Sequence, residues 1–375
     1  MHGRYQRQIK LKDFGEAAQN KLLHAKVIVI GAGGLGCPAL QYLAAAGVGT
    51  LGIVDEDVVS LENLHRQLLY TTGDIGRPKT ECARSALLAL NPEVMIMTFS
   101  TRLTNQNALE ILQPYDLVID GTDNFTSRYL INDACVLLNK PLIYGSVSQY
   151  EGQLSVFNYA TGKDSGVNYR DVFPRPPGEG EVMNCEEAGV LGVLPGIIGT
   201  MQANEAIKLV TGIGKPLANQ LFIYHALTSQ VYQVELTASE NPESDIPASE
   251  EAYREFDYHW FCSSGFDPGC EIDVSRFNEL VKEGNVAVID IRTGGNNLGF
   301  KKSLPYYRIP FSALDEQNSL IGGENEVVVV CESGISSKDA VKILSEKFGP
   351  EKKIYSLHGG IREWKKYLDH ETERT

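Results

Sequence analysis

Glycines and an acid near the start of the chain are spaced as in a phosphate-binding turn. Gly31, Gly33 and Gly36 form a G-x-G-x-x-G pattern directly after the apolar run 27–30. Such glycines allow a tight turn, a close approach of backbone to a phosphate, and close packing of a helix on a strand. Asp55 follows the turn by about 20 residues, where a carboxylate can bind ribose. The pattern predicts a nucleotide site and leaves NAD, FAD and ATP open.

Polar side chains beyond this segment favour one of those nucleotides. They are Asn63, Arg66, Gln67 and Lys79, and the two cations can neutralise the charge of a triphosphate. The pyrophosphate of a dehydrogenase cofactor needs less cationic help, because the glycine turn and the helix dipole stabilise it. The set therefore favours ATP over NAD, with solvated helix-surface cations as the alternative.

Asp123 and Asn124 come just after another strand, predicted over 115–120. The carboxyl ends of parallel strands form the crevice where open α/β sheets bind ligands. Asp123 is therefore a candidate Mg²⁺ ligand beside the phosphates. Both residues are also good N-caps for a helix predicted over 127–138, and the two roles are compatible.

Two cysteines lie in segments that suit chemistry. Cys331 follows a strand predicted over 326–330 and precedes a predicted helix. Backbone N–H groups in such a turn, with the positive helix end, stabilise a thiolate. This predicts a reactive thiol, with a buried structural cysteine as the alternative. Cys185 follows 160–184, a long stretch rich in glycine, proline and charge of a kind that is usually functional or mobile.

Strands and helices must position these residues. The run 27–30 predicts a strand buried on both faces, 37–46 predicts a helix that ends at Gly47, and 50–54 predicts a second strand. Strands and helices continue to alternate along the chain, which predicts an α/β fold with a parallel sheet. Arg4 and Arg7 precede the first of these elements, and on spacing alone they are typical of a solvated arm.

The domain organisation follows from length and composition. The 375 residues predict about two domains. The polar, acidic segment 237–270 is broken by proline and serine and predicts a linker, partly helical around 249–258. We therefore expect one α/β domain over 1–236 and a smaller one over 271–375.

Charge and cysteine content exclude several classes of protein. A net charge of −14 argues against general nucleic-acid binding. The sequence contains no apolar run of the roughly 18 residues that a membrane span needs, and its start has no signal-peptide pattern. Seven scattered cysteines do not indicate a disulfide framework, so we expect a cytoplasmic protein.

Several longer motifs resemble one known family. RYQRQIKL at 4–11, GAGGLG at 31–36, NLHRQ at 63–67, DGTDNF at 120–125 and NCEEAGVLGVLPG at 184–196 resemble the E1-like adenylating family. That family includes the molybdopterin-synthase and thiamine sulfur-carrier adenylyltransferases, and the resemblance covers roughly 3–236. IDIR at 289–292, the Cys331 loop and LHGGIREW at 357–364 resemble a rhodanese domain. The resemblance implies a Rossmann-like, ThiF-type adenylation domain followed by a rhodanese-like domain.

The resemblance implies an activity, cofactors and a partner. ATP with Mg²⁺ adenylates the C-terminal Gly-Gly carboxylate of a ubiquitin-fold sulfur carrier protein, and sulfur from a donor then converts it to a thiocarboxylate, as in molybdopterin or thiamine biosynthesis. The implied site residues are Gly34 on the phosphate turn, Asp55 at the ribose, Asn63, Arg66 and Gln67 near the phosphates, Lys79 at the developing pyrophosphate, and Asp123 with Asn124 at the Mg²⁺ and the nucleotide.

Three further residues take their implied roles from the family. Arg7 matches an arginine that reaches into the partner's site in homodimers, which reverses the solvated-arm interpretation. Cys185 matches a cysteine that in some members bonds covalently to the carrier. Cys331 matches the cysteine that carries a persulfide, whose sulfur attacks the acyl-adenylate.

The sequence departs from the family pattern at two places. Many relatives bind structural zinc through two CxxC motifs, but the first position here reads Asn168–Asp171, and Cys262 and Cys270 are too far apart for the second. We therefore expect no structural zinc. Ser336 stands where rhodanese loops usually carry an arginine, and Lys338 is a possible substitute for that cation.

Three alternatives stay open at this point. The chain can be an adenylyltransferase whose rhodanese domain is inactive and only docks the carrier. It can be an NAD-dependent Rossmann oxidoreductase, which Arg66, Lys79 and Asp123 disfavour. It can also be a non-catalytic scaffold that binds the carrier, for which Asp123 would be dispensable.

Overall fold

The protein forms two compact α/β units. In the computed structural model the described residues are 2–160, 166–177, 189–238, 246–263, 270–284, 286–293, 305–314, 326–332, 334, 336–348 and 352–372. The first unit comprises Met1–Pro176 and Gly180–Cys262, and the second comprises Ser263–Thr375 with Pro177–Glu179.

The first unit is built on a mixed eight-stranded sheet. Its strands are β1 Lys26–Ile30, β2 Thr50–Val54, β3 Met95–Phe99, β4 Leu117–Asp120, β5 Leu142–Ser148, β6 Glu151–Phe157, β7 Gln220–His225 and β8 Gln230–Glu235. The spatial order is β3-β2-β1-β4-β5-β6-β7-β8. Strands β1 to β5 pair in parallel and β5 to β8 pair antiparallel. The central strand β1 is apolar and buried on both faces, as its β-branched composition predicts.

Helices cover the two faces of this sheet. They are α1 His2–Ile9, α2 Gly15–His24, α3 Gly36–Ala46, α4 Lys79–Leu90, α5 Ala108–Leu112, α6 Phe125–Leu137, α7 Tyr169–Val172, α8 Val193–Thr211, α9 Glu250–Glu255 and α10 Tyr258–Ser263. Two hydrophobic clusters result, one around α3, α4 and α8 and the other around α5 and α6. Helix α3 ends at Gly47, whose left-handed φ of 83° makes glycine the suitable residue there.

The amino-terminal segment packs as a helix. Tyr5 on α1 is only 3% exposed, and its hydroxyl accepts a hydrogen bond of 2.9 Å from Asn91 Nδ2. Arg4 donates to the carbonyl of Leu90 at 2.8 Å, while Arg7 is exposed. The solvated-arm interpretation is therefore wrong for the backbone, because a buried tyrosine between two arginines fixes the helix on the first unit.

Residues 246–262 also pack on the first unit, although the polarity of 237–270 predicts a linker. Tyr253 is fully buried and its hydroxyl donates to the carbonyl of Leu130 at 3.1 Å. The amide of Asn105 donates to the carbonyls of Arg254 and Phe256. The buried aromatic rings fix this segment despite the polar residues between them.

A buried ion pair holds the same segment. Arg170 donates from Nε and Nη2 to the two carboxylate oxygens of Asp133 at 2.9 and 2.7 Å, and the Tyr258 hydroxyl donates to that carboxylate at 2.8 Å. The guanidinium also lies over the rings of Tyr129 and Phe261, 4.9 and 4.6 Å from their centroids. We call these five residues the Arg170 cluster, and it joins α6, α7 and α10.

Replacing Arg170 with methionine is expected to destabilise the first unit by about 3–5 kcal/mol, because the Asp133 carboxylate stays buried without its cation. Urea unfolding measures this loss, and limited proteolysis should cut 246–262 more readily. The matched control is Arg102→Met, which removes an exposed pair with Glu56 and should change little. Equal stability of the two variants would show that the buried pair does not hold the segment.

The second unit is a parallel five-stranded sheet with helices on its faces. Its elements are β9 Glu271–Ile272, α11 Val274–Glu283, β10 Val286–Asp290, β11 Tyr306–Arg308, a 3-10 turn Phe311–Ala313, β12 Glu326–Val330, α12 Ser336–Phe348, β13 Lys353–Leu357 and α13 Gly360–Thr372. The strand order is β11-β10-β12-β13-β9. Both faces of β10 and β12 are buried, which matches the near-continuous valine runs there.

Candidate active site

The turn after β1 has the geometry that its glycines predict. Gly31 has a left-handed φ of 88°, which favours glycine. A Cβ added at Gly36 would lie 1.9 Å from the Gly31 carbonyl oxygen, so only glycine lets α3 start this close to the strand. Cys37 N donates to the Gly33 carbonyl at 2.9 Å and begins the helix. The positive end of α3 therefore faces the turn, as a phosphate site requires.

The turn after β4 lies directly against this glycine turn. A Cβ added at Gly31 would meet the Gly121 carbonyl oxygen at 2.9 Å, and Gly121 N donates to the Ile30 carbonyl at 2.8 Å. Asp123 and Asn124 follow at the start of α6, both exposed. The fold thus brings the predicted Mg²⁺ ligand to the same edge of the sheet as the predicted phosphate turn.

Asp120 shapes this second turn, a role that sequence reasoning missed. Its Oδ1 accepts hydrogen bonds from Thr122 N at 2.9 Å and Thr122 Oγ1 at 2.6 Å. Complete burial raises the pKa of Asp120, against lowering by Arg128 and these hydrogen bonds. The Asn124 side chain accepts from Ser127 N at 2.9 Å, so its predicted N-cap role is confirmed.

Asp123 itself is left available by these contacts. Its exposed carboxylate makes no hydrogen bond or ion pair with any residue that the structure describes. Mg²⁺ in nucleotide sites commonly binds one or two carboxylates together with substrate phosphates, so this residue fits the cation.

The Asp55 carboxylate is fixed beside the glycine turn. It accepts hydrogen bonds from Ala32 N at 2.7 Å and Asp57 N at 2.8 Å. Burial raises the pKa of Asp55, while nearby Lys79 and the two backbone donors lower it. The carboxylate is therefore at the position where the ribose of a bound nucleotide is expected.

Lys79 is bound by an acid that the sequence analysis did not assign. It begins α4, is 5% exposed, and its Nζ lies 2.7 Å from Asp57 Oδ2. The exposed Asp57 carboxylate thus holds a buried ammonium next to Asp55. The close spacing of Asp55 and Asp57 is a weak signal for this pairing, because it does not identify the cation.

Arg66, Asn63 and Gln67 form one connected group. Arg66 Nη2 donates to Asn63 Oδ1 at 2.9 Å. The buried Gln67 Nε2 lies 3.7 Å from a Cβ added at Gly33, and a Cβ at Gly34 would lie 3.5 Å from Arg66 Cγ. The glycine turn therefore lies next to Arg66 and Gln67.

An apolar cavity of about 400 Å³ opens beside Arg66. It lies between α3, the 66–68 segment and the start of α8. Leu68 and Val193 on its rim are 73% and 59% exposed, which is unusual for large apolar side chains.

The structure does not connect the predicted site residue Arg7 to this group. Arg7 is exposed on α1 and makes no hydrogen bond or ion pair with a described residue of the first unit. Cys185 lies outside the described residues.

The Cys331 thiol lies in the turn between β12 and α12 of the second unit. It is 5% exposed and accepts a hydrogen bond from Gly334 N at 3.1 Å, with Ser337 Oγ at 3.3 Å. Gly334 has a left-handed φ of 83°, and a Cβ there would lie 2.7 Å from Gly359 N. A Cβ added at Gly360 would lie 2.6 Å from the Cys331 carbonyl oxygen, so Gly334 and Gly360 both allow this close packing of backbone beside the thiol.

The cations near this loop are paired with acids. Arg292 bonds Asp290, with Nη2 2.8 Å from Oδ2, and also Glu332, which follows the cysteine. Burial would raise the pKa of Asp290, but the hydrogen bonds from Arg292 and Tyr306 outweigh it and lower that pKa. Lys338, the proposed substitute for the missing arginine, lies 2.9 Å from Glu271 Oε1.

The described residues offer no site suited to zinc. They contain no group of three or more His, Cys, Asp or Glu side chains placed to hold a metal ion. At 168–171 the side chains instead make local contacts, with Arg170 bound to Asp133 and Asn168 accepting from Arg170 N.

No helix within the described ranges is long and apolar enough to cross a membrane.

Comparison with known proteins covers both units. Residues 5–246 match the ThiF family, and residues 273–367 match the rhodanese-like domain. The sulfur carrier protein adenylyltransferase of Thermus thermophilus is 51% identical over 261 residues, which are 69% of this chain and 96% of that protein. The probable adenylyltransferase/sulfurtransferase MoeZ of Mycobacterium tuberculosis is 37% identical over 383 residues, covering 97% of this chain and 93% of that protein.

Solved structures give the same fold. Escherichia coli MccB with MccA-N7isoASN matches with a TM-score of 0.56 and 22% identity, covering 66% of this chain and 74% of that chain. At this identity the likeness shows the fold alone. The predicted fold class and the predicted family are confirmed. The chain therefore belongs to the ThiF family and carries a rhodanese-like domain after its ThiF region.

Proposed function

We propose that this protein adenylates the C-terminal Gly-Gly carboxylate of a ubiquitin-fold sulfur carrier, using ATP and Mg²⁺, and that its second unit delivers sulfur to the product. The observation that carries the adenylation proposal is the contact between the turns after β1 and β4, which puts Asp123 beside the phosphate turn. The full-length similarity to an adenylyltransferase/sulfurtransferase supports the pairing of the two activities.

The first step is nucleophilic attack by the carrier carboxylate on the α-phosphorus of ATP. A bond from carboxylate oxygen to phosphorus forms, the α–β phosphoanhydride bond breaks, and pyrophosphate leaves with that electron pair. Asp55 orients the ribose, and the α3 amino terminus with Arg66 and Lys79 opposes the phosphate charge. Bound at Asp123, Mg²⁺ would supply further neutralisation of that charge. The protein thus acts by positioning and electrostatics rather than by forming a covalent bond.

Binding of the phosphates by Lys79 would break its ion pair with Asp57 in this step. Asp57 Oδ2 lies 2.7 Å from the Lys79 ammonium. Incoming phosphate oxygens would compete with Asp57 for the same donor, and the pair keeps the buried cation in place until then. We therefore propose that Asp57 keeps the Lys79 ammonium in position until the phosphates of ATP bind it.

The second unit completes the reaction through Cys331. The outer sulfur of a Cys331 persulfide attacks the carrier acyl carbon, and AMP leaves with the electron pair of the broken C–O bond, which gives an acyl disulfide. A thiol reductant that then cleaves the S–S bond releases the thiocarboxylate of a molybdopterin- or thiamine-type pathway. The backbone donor of Gly334 at 3.1 Å from the sulfur supports this role. A docking domain without sulfur transfer is the alternative, favoured by the absence of an arginine at Ser336.

The test of this function begins with the carrier. Candidate Gly-Gly carriers are used in turn to capture the full-length protein, and ATP–pyrophosphate exchange is measured with each one that binds. Exchange that depends on the carrier and on Mg²⁺ is expected. Binding of NAD with no exchange for any carrier would favour the oxidoreductase alternative.

We propose further that two copies of the chain associate. The exposed apolar rim formed by Leu68 and Val193 lies beside Arg66, and burying it against a second copy would remove apolar surface from water next to the phosphate site. Arg7, on an otherwise anchored helix, would then contribute to the partner's site, as the family resemblance implies. Two-fold dimers are also the commonest homo-oligomers.

Mixing two inactive variants tests this association. Arg7→Ala and Asp123→Ala proteins are each expected to lose exchange, and their mixture should regain up to about a quarter of the parent rate, because only mixed dimers hold one intact site. The mass in solution is measured alongside by light scattering. A mixture with no more activity than its parts would contradict a site shared between copies.

A cytoplasmic location, the absence of structural zinc and a covalent role for Cys185 stay predictions. Metal analysis of the purified protein is expected to find well below one zinc per chain. The Arg170 cluster supports this expectation, because it occupies the first of the two places where relatives with zinc carry a CxxC motif.

A further inference from the structure

Two buried serine hydroxyls continue a chain of hydrogen-bond contacts that begins at the Cys331 thiol. Ser337 Oγ lies 3.3 Å from Cys331 Sγ, and Ser356 Oγ lies 2.8 Å from Ser337 Oγ. Both serines are completely buried, one on α12 and the other on β13. Buried hydroxyls need hydrogen-bond partners, and these contacts link the thiol and the two hydroxyls in one hydrogen-bonded chain.

The direction of this chain depends on the state of the sulfur. A thiol can donate its proton to Ser337, which then donates to Ser356. A thiolate has no proton to give, so Ser337 must donate to the sulfur and accept from Ser356. The second arrangement adds one charge-assisted hydrogen bond to the one from Gly334 N.

The surroundings make these neutral donors important. Several charged side chains on the elements that border the loop are paired with one another. These pairs are Arg292 with Asp290 and Glu332, and Lys338 and His358 with Glu271. Ser336 stands where an arginine is usual. Among the described residues, Cys331 Sγ has hydrogen-bond contacts with Gly334 N and Ser337 Oγ.

We propose that Ser337 is a catalytic residue of the sulfurtransferase, whose hydroxyl donates to Cys331 Sγ when the sulfur is negatively charged, and that Ser356 is a positioning residue that orients this hydroxyl. The proposal rests on the sulfur-transfer half of the proposed function. It assigns to two serines the stabilisation that an arginine of the loop would otherwise provide.

The hydroxyl acts at both ends of sulfur transfer. The Cys331 thiolate attacks the outer sulfur of thiosulfate, forming a sulfur–sulfur bond while the bond to the sulfonate breaks and sulfite leaves with the electron pair. When an acceptor such as cyanide attacks the outer persulfide sulfur, the same bond breaks and Sγ leaves as a thiolate. Negative charge is on Sγ at the start of one step and at the end of the other, so Ser337 is next to it in both.

Two measurements on the full-length protein test this. Thiosulfate:cyanide sulfurtransferase rate gives the chemistry, and the pH profile of iodoacetamide alkylation at Cys331, followed by peptide mass spectrometry, gives the thiolate. Ser337→Ala is expected to lower the rate about tenfold and to move the alkylation midpoint up by about one pH unit, the effect of one hydrogen bond to a charged group. The matched control is the neighbouring, exposed Ser336→Ala, which should change neither.

Ser356 is tested in combination. Ser356→Ala alone is expected to lower the rate about threefold, since it removes only the orienting bond. The double variant should be no slower than Ser337→Ala, because Ser356 acts through Ser337. Losses that multiply would overturn the positioning role, and a Ser337→Ala profile equal to that of Ser336→Ala would overturn the whole proposal.

Further outcomes distinguish failure of the Ser337 proposal from failure of the proposed sulfurtransferase activity. Thermal melting identifies a misfolded Ser337→Ala protein, in which case Ser337→Thr is used, and retention of the parental alkylation profile by this hydroxyl-bearing variant is the expected result. A shifted profile in folded Ser337→Thr would count against the proposal. If the parent transfers no sulfur from thiosulfate, the sulfurtransferase assignment fails, while the alkylation profile still decides whether Ser337 stabilises the thiolate.

Discussion

Asp123→Ala is expected to lower carrier-dependent ATP–pyrophosphate exchange by about a hundredfold or more, the loss typical when one electrostatic stabiliser of a transition state is removed. The reason is geometric: the carboxylate follows the turn that touches the phosphate turn, and it has no partner within the described part of the chain. Without it, the cation would lose the carboxylate ligand that this residue would provide. Initial exchange rates over a range of Mg²⁺ concentrations measure the effect.

Two controls define what such a loss means. Glu110→Ala removes an exposed acid on α5 of the same unit and should leave exchange unchanged. Asp123→Asn keeps the shape of the side chain and should show a weaker defect that higher Mg²⁺ partly reverses. An Asp123→Ala protein that exchanges at the parental rate would instead support a non-catalytic scaffold.

Cys331→Ala is expected to reduce sulfur transfer from thiosulfate by at least about a thousandfold, as removal of a nucleophile does, and to leave ATP–pyrophosphate exchange intact. The sulfur that receives the Gly334 hydrogen bond is then missing, while the first unit keeps every residue of its site. Persulfide formation is followed by mass spectrometry and thiocyanate release by colour.

The matched control for this variant is Cys270→Ala, which removes a half-buried thiol elsewhere in the second unit. It should retain both activities. Sulfur transfer by Cys331→Ala at the parental rate would leave the second unit as a docking domain.

The phosphate turn could be predicted because its chemistry is local. Gly31, Gly33 and Gly36 act through backbone geometry within six residues, and at Gly31 and Gly36 a close backbone contact requires glycine. After their first residue, the strands that flank the turn are built of apolar residues and glycine, so burial on both faces could also be predicted.

Pairings between distant segments were not predictable in this way. Lys79 and Asp57 are 22 positions apart, and nothing in the sequence separates Asp57 from its neighbours Asp55 and Glu56 as the partner. The spacing of Cys331, Ser337 and Ser356 likewise has no periodicity that marks the serines. Such contacts depend on how strands and helices pack, which composition does not encode.

For the segment 246–262, the composition predicts a structure that differs from the one observed. Its acids and serines predict a linker, whereas Tyr253 and Tyr258 insert into the core beside α6. A few buried aromatic side chains outweigh many exposed polar ones, because burial of a large ring contributes more free energy than solvated charges cost.

The Arg170 cluster has a consequence for the conditions under which this anchoring survives. A guanidinium, a carboxylate and a phenol contain no sulfur to oxidise, and their contacts need no ion from solution. Chelators and peroxide, which break thiolate–metal sites, therefore have no target among these three groups. Salt should also have little effect, since a pair this deeply buried is poorly screened. The contacts of Asp133 with Arg170 and Tyr258, which hold α10 on the first unit, thus need neither a metal ion nor a thiol.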